Sequence, residues 1–177
     1  MHKTAVIATA MVVTMAAWAK PAEAIEKLCD PANENCRSTL ITLIRNEHIS
    51  IDVAFWFMED PRYTTELINR FKAGVPVRVL MDTQANSSYP LNAQRLAELK
   101  AAGIPMRERV ASGILHWKAM LFGGQNVVEF SGANYSPEAF AYSAPYSNYI
   151  DEVIYFTDLA SVVHSCKTKF DDLWTYT

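Results

Sequence analysis

Apolar residues change their spacing several times along the chain, and each change marks an element. In STLITLIRN, Leu40, Ile41, Leu43 and Ile44 recur at the interval of a helix with one buried side. The next segment, Ile49 to Met58 (ISIDVAFWFM), is β-branched and aromatic and predicts a buried strand, with Trp56 and Phe57 in the core. Asp60-Pro61 starts a second helix, because aspartate supplies the cap and proline takes the first helical position, where no N–H is needed. Tyr63, Leu67, Ile68 and Phe71 form its apolar side, and Gly74 stops it. VPVRVLMD is a second strand and TQANSSYP a loop. A third helix runs from about Leu91 to Ala102, ends at Gly103, and leads into IPMRERV, a partly exposed strand.

The second half has shorter units. HWKAMLF and NVVEFS predict two short strands joined by a GGQ turn. A loop rich in Tyr, Ser, Ala and Pro (Tyr135 to Tyr149) follows, then the strand DEVIYF and an amphipathic helix from about Asp158 to Trp174. This order predicts an α/β fold with a mixed, mostly parallel sheet flanked by helices on both faces.

The first 24 residues stand outside that pattern. His2 and Lys3 precede the apolar run AVIATAMVVTMAAWA, and Ala22 to Ala24 offer a small-x-small cleavage site. The run is short for a membrane span and reads as a signal peptide (1–24) ahead of one domain (25–177), which predicts a secreted or periplasmic protein. Cleavage is expected after Ala24, with Ala19 a second candidate. Cysteines agree with export: Cys29 and Cys36 bracket DPANEN and are expected to close a small disulfide ring, while Cys166 shares a helical face with apolar residues and reads as a buried thiol. Charge narrows the partners. The chain has 16 Lys and Arg against 19 Asp and Glu, net −3, and loss of the leader removes Lys3 and Lys20 but only Glu23. Such a balance does not announce a protein that relies on nonspecific attraction to phosphate backbones.

Two residues sit oddly in that apolar background. Strand alternation in HWKAMLF puts His116, Lys118 and Met120 on one face. Lysine supplies fixed positive charge and imidazole can act as nucleophile, base or acid near neutral pH, so the pair makes an anion site. Asn134, beyond the next strand, aims an amide at the same spot if the two strands pair, and Gly132 leaves room for a ligand's oxygens. Such a pocket suits a phosphodiester. His116-x-Lys118 followed by Ser131-Gly132-Ala133-Asn134 resembles the phospholipase D superfamily motif, HxK-x4-D-x6-GSxN. The resemblance extends over most of the chain, since ISIDVAFWFM, AGVPVRVLMD and AAGIPMRERV look like the strands before the motif, and NYIDEVIYFTD like the segment after it.

The resemblance implies a phospholipase D-like fold and a phosphodiesterase that needs no metal or other cofactor. His116 would form a covalent phosphohistidine. Lys118 and Asn134 would hold the phosphate oxygens, with Ser131 and Gly132 beside them, and Asp151 or Glu152 would orient the imidazole. Two departures stand out: Gly123 occupies the motif's aspartate position, and Ser131-Gly132 reverses the GS pair and puts Asn134 one residue late. A shift in the hairpin turn would absorb that residue. The family uses two histidines and this chain has a single HxK, so a homodimer pairing two copies of His116 is expected; the other reading is one half of a two-motif protein. The substrate is expected to be a phospholipid head group. A nuclease of the same superfamily and a catalytically impaired binding relative are the alternatives. The tyrosine-rich loop (Tyr135, Tyr142, Tyr146, Tyr149) is expected at a substrate groove or a dimer interface.

Overall fold

The computed structural model describes residues 24–109, 113–141 and 152–176. The expected leader lies outside these residues except for Ala24, as do Asp151, Tyr142, Tyr146 and Tyr149. In chain order the elements are β1 (Glu26–Cys29), α1 (Cys36–Asn46), β2 (Ile51–Phe55), α2 (Pro61–Lys72), β3 (Val77–Met81), α3 (Thr83–Ser87), α4 (Pro90–Ala101), β4 (Met106–Glu108), β5 (Ala119–Phe122), β6 (Val127–Ser131), β7 (Ile154–Thr157) and α5 (Ala160–Tyr176). Among the described residues the strands form one mixed sheet in the order β1-β7-β6-β5-β2-β3-β4. β2, β3 and β4 are parallel neighbours linked through helices. β5 and β7 run against the rest, so every pair they make is antiparallel. Parallel pairing is confined to one side of the sheet because a short hairpin such as β5–β6 leaves no chain for a crossover.

Helices cover both faces. Leu40 and Ile44 of α1, Tyr63 and Leu67 of α2 and Leu99 of α4 pack with Val53, Phe55, Val79 and Met120 on one side. On the other, Phe170 of α5 packs with Ala54, Leu80, Leu121 and Val128. All of β2 is buried, including its one charged residue, Asp52, whose carboxylate accepts the Arg78 guanidinium at 2.7 and 2.8 Å. The cap at Asp60 also forms as expected, its side chain accepting the Arg62 amide with Pro61 opening the helix.

Three features differ from the sequence pattern. β1 was not anticipated, since its four residues are largely polar. It is held at the sheet edge by partners far along the chain: the Glu26 carboxylate accepts the hydroxyls of Tyr155 and Thr157. The expected disulfide then ties Cys29 to Cys36 at the start of α1, with Cα atoms 5.9 Å apart. The loop after β3 contains a short helix, α3, capped by Asp82, whose Oδ1 accepts the Ala85 amide at 2.9 Å. Cys166 is half-buried rather than enclosed, and burial still pushes its thiol pKa up.

The turn between β5 and β6 is organised by a residue outside it. Phe122 faces Val127, leaving Gly123 to Asn126 as the turn, with Asn126 in the left-handed region at φ 53°. Glu47, fully buried at the end of α1, fills its concave side. Its Oε1 accepts the amides of His48, Ile49 and Gly124 at 2.9, 2.6 and 2.9 Å. Its Oε2 takes both the amide and the side chain of Gln125 at 3.2 Å. Burial would raise the pKa of this carboxyl, but the backbone hydrogen bonds from Ile49 and Gly124, with both from Gln125, outweigh it and hold the pKa low.

Candidate functional site

The candidate residues gather at one edge of the sheet, where β2 and β6 end and β5 and β7 begin. β5 opens at Ala119, so His116 and Lys118 stand on the extended segment just before it. Pairing nevertheless runs one residue further, since the Ser131 amide donates to the Lys118 carbonyl at 3.3 Å. Lys118 and Ser131 are therefore cross-strand neighbours, on the face that also carries Met120 and Glu129. Asp82, at the end of β3, fixes the approach: its Oδ2 accepts the Leu115 amide at 3.0 Å. Leu115 is buried and His116, the next residue, is exposed.

Lys118 is only 2 % exposed. Its Nζ lies 3.1 Å from Nδ1 and 3.0 Å from Nε2 of His116. An atom on one nitrogen's lone-pair axis would be far from the other nitrogen. The ammonium therefore sits across the imidazole, and neither ring nitrogen is committed to a linear hydrogen bond. Trp56 underlies both groups, with its centroid 4.6 Å from that of His116 and 5.4 Å from the Lys118 Nζ. Burial lowers the Lys118 pKa, and the negative charge of Glu152 pulls it partly back.

Glu152 is half-buried beside the reversed Ser-Gly pair. A Cβ built on Gly132 would come within 2.7 Å of the Glu152 Oε2, so the space expected to admit a ligand's oxygens borders this carboxylate, whose flexible end would shift to make room for a side chain. Ser131 turns its hydroxyl to the Ala133 carbonyl at 3.3 Å. Asn134 follows in the same loop, half-buried, with an Oδ1 that is buried and has no hydrogen-bond partner. A buried carbonyl oxygen left unpaired costs about 1–3 kcal/mol and calls for a donor, so any contact with phosphate oxygens would fall to the Nδ2 of the same amide. The ladder between β5 and β6 has no bulge from Ala119 to Phe122. Gly123 sits in that turn, about 16 Å along the strand from Lys118.

Residues outside the motif also shape the site. Trp56 and Phe57, expected in the core, are half-buried at the end of β2. They line a cleft of about 340 Å³ together with Tyr89, Ile114, Asp82 and Gln84. The Phe57 and Tyr89 rings meet edge to face at 5.1 Å. The signal for these was an aromatic pair at the very end of a buried strand, where strands of α/β sheets deliver side chains to ligands. Tyr135, expected at a groove or interface, is instead fully buried. Among the described residues no cluster of three His, Cys, Asp or Glu side chains is arranged to hold a metal ion.

Comparison with known proteins agrees with this fold. The family model described as "Cardiolipin synthase, PLD-like domain" matches residues 40–174. Nuc from Salmonella typhimurium, a phospholipase D family member, superposes with a TM-score of 0.72 at 18 % identity, covering 86 % of this chain and 95 % of its own. NucT from Helicobacter pylori gives 0.71 at 19 % identity, covering 86 % and 97 %. A phosphatidylserine synthase from Haemophilus influenzae Rd KW20 gives 0.60 at 20 % identity, covering 83 % of this chain but 36 % of its own. At these identities the structural likeness is one of fold. No curated protein matches the sequence.

Proposed function

Because the chain belongs to the phospholipase D superfamily, we propose that it cleaves phosphodiesters through a phosphohistidine on His116. The observation that carries this reading is the Lys118 ammonium, 2 % exposed and 3.0 Å from the His116 Nε2. A buried cation beside an uncommitted imidazole is costly until an anion arrives, and a diester monoanion restores its balance. In the first step a ring nitrogen of His116 bonds to phosphorus as the bond to the leaving oxygen breaks. That oxygen takes a proton from a second imidazole. Water then attacks the phosphohistidine, returns the proton, and releases a phosphomonoester. Lys118 and Asn134 hold the non-bridging oxygens as charge builds on them. Glu152, whose charge acts on Lys118, serves as the orienting carboxylate in this reading.

The second imidazole comes from another copy of His116, which is exposed and is the only histidine followed two residues later by lysine. Export fits the same reading, because the Cys29–Cys36 disulfide belongs to an oxidising compartment. No helix among the described residues is long and apolar enough to cross a membrane. For substrate we infer a phospholipid head group. The cleft beside Trp56 has aromatic walls and Asp82 as its charged lining residue, which suits an apolar or cationic group better than a polyanion. The family model's cardiolipin synthase and the phosphatidylserine synthase among the structural neighbours favour lipid chemistry.

Turnover of bis(p-nitrophenyl) phosphate, with and without a chelator, tests the chemistry. The wild type is expected to turn over in either condition, and His116→Ala to lose at least about 10³-fold with its circular dichroism unchanged. Near-normal rates in that variant would remove His116 as nucleophile. Phosphatidylcholine vesicles and single-stranded DNA run in parallel test the substrate: faster cleavage of DNA would overturn the lipid reading and leave the mechanism standing. Full activity from a strict monomer in sedimentation would overturn the dimer.

A further inference from the structure

Glu129 lies in the middle of β6, fully buried, on the same sheet face as Lys118 and Ser131, and the chemistry above does not use it. Its Oε2 accepts the Tyr135 hydroxyl at 2.8 Å, and its Oε1 is buried with no hydrogen-bond partner. Tyr135 is where the loop bearing Asn134 is fastened. Its amide donates to the Phe57 carbonyl at 3.2 Å, and its carbonyl accepts the amides of Glu59 and Asp60, both at 3.0 Å. Its ring packs on Tyr63 and Phe140, centroids 5.5 Å away in each case. One residue after Asn134, the loop is thus strapped to the segment that follows Trp56 and Phe57.

The groups facing Glu129 are the hydroxyls of Ser131 on its own strand and Tyr135 from the loop, with Tyr63 from α2 further off. Met120 of β5 and Phe156 of β7 flank it in the ladder. Arg37 of α1 and Arg62 and Asp60 around the start of α2 act on Tyr63, behind it. Among the described residues, no cation is paired with the carboxyl itself. Burial pushes its pKa up to about 8, and the hydrogen bond from Tyr135 offsets only part of that rise.

We propose that Glu129 is a positioning residue for Asn134: as a neutral acid it pegs Tyr135 and the loop in place, and its ionisation, which drives an unpaired charge toward water, loosens the strap. The proposal rests on the reading of Asn134 as a phosphate ligand, so its test includes a measurement that needs no turnover. Amide hydrogen exchange at Glu59 and Asp60, both bonded to the Tyr135 carbonyl, reports the strap directly. In the wild type their protection, corrected for intrinsic rates, is expected to fall about tenfold between pH 7 and pH 9. Glu129→Gln, which keeps the shape and cannot ionise, is expected to hold its protection across that range. In the same window kcat of Glu129→Gln relative to wild type should rise about tenfold, from within twofold at pH 7, while KM changes little. Tyr135→Phe, which keeps the ring and removes the hydroxyl, should already lose protection at pH 7, and it carries the test should Glu129→Gln fold poorly. If exchange at Glu59 and Asp60 has the same pH dependence in wild type and Glu129→Gln, or if Tyr135→Phe exchanges like wild type, the peg does not exist. If the protections behave as expected but no variant turns over a diester, the functional reading has failed and the strap has not.

Discussion

The β5–β6 hairpin has two ends that treat polar atoms in opposite ways. At the turn, the Glu47 carboxylate gathers amides from His48, Ile49, Gly124 and Gln125, and every oxygen has partners. At the other end Lys118 is buried with a histidine and a carboxylate for company, and the Asn134 Oδ1 has no partner at all. The same two strands carry both ends, so the contrast is not one of fold quality. Full satisfaction marks the end that holds the structure, and the end left incomplete is the one read above as the ligand site. The motif position filled by Gly123 belongs to the first end, which is why its loss leaves the chemical groups untouched.

Breaking the unsatisfied end should give the largest effect. Asn134→Ala is expected to lower kcat about 10²–10³-fold toward a diester while leaving the melting temperature unchanged or higher, because it removes an unpaired buried group. Equal losses of stability and activity would mean that Asn134 is only a turn residue. Glu47→Ala reverses the pattern. Stranding several buried donors should cost about 3 kcal/mol, read as a fall of roughly 6–12 °C in Tm, with kcat per folded molecule unchanged. Because the Glu47 pKa is held low, its contribution is present above the unfolded value and lost as pH falls through the folded one, so the wild type should lose its advantage over the variant in acid. The smallest effect sharpens the comparison. Gly123→Asp restores the motif, but a Cβ there would meet the Ser50 Oγ at 2.3 Å, so that hydroxyl must rotate and a second carboxylate joins Glu47. A cost of about 1 kcal/mol and no gain in rate are expected. A rise in activity would return the motif aspartate to the chemistry.

How much of this the sequence disclosed depends on whether a role is written locally. β2, α1 and α2 were legible because periodicity and the Asp60-Pro61 cap act within a few residues. His116 and Lys118 were legible as a pair because they stand two apart on one extended segment, where the Lys118 Nζ lies 3.0 Å from the His116 Nε2. β1 was not, because a four-residue strand becomes one only when Tyr155 and Thr157 hold it. Trp56 read as core, since an aromatic at the end of a buried strand has the same composition whether it meets a helix or an imidazole. Glu129 and Glu47 were the hardest. Alternation in VVEFS assigns a glutamate to solvent, and only the fold reveals that Tyr135 stands where water would. Buried carboxylates are defined by partners, and partners are a property of three dimensions.

The bond between Cys29 and Cys36 reaches further than the edge strand it fastens. Cys36 opens α1, and its neighbour Arg37 pairs with Asp60 at 2.9 Å, donates its amide to the Phe140 carbonyl at 2.9 Å and reaches the Pro137 carbonyl with its guanidinium. Asp60 in turn donates to the Tyr135 carbonyl. A sulfur bridge at the rim is thereby joined, through one arginine, to the stretch that presents Asn134. Opening that sulfur bridge is therefore expected to loosen the segment around Asn134 as well as the edge strand, although the two lie far apart in sequence.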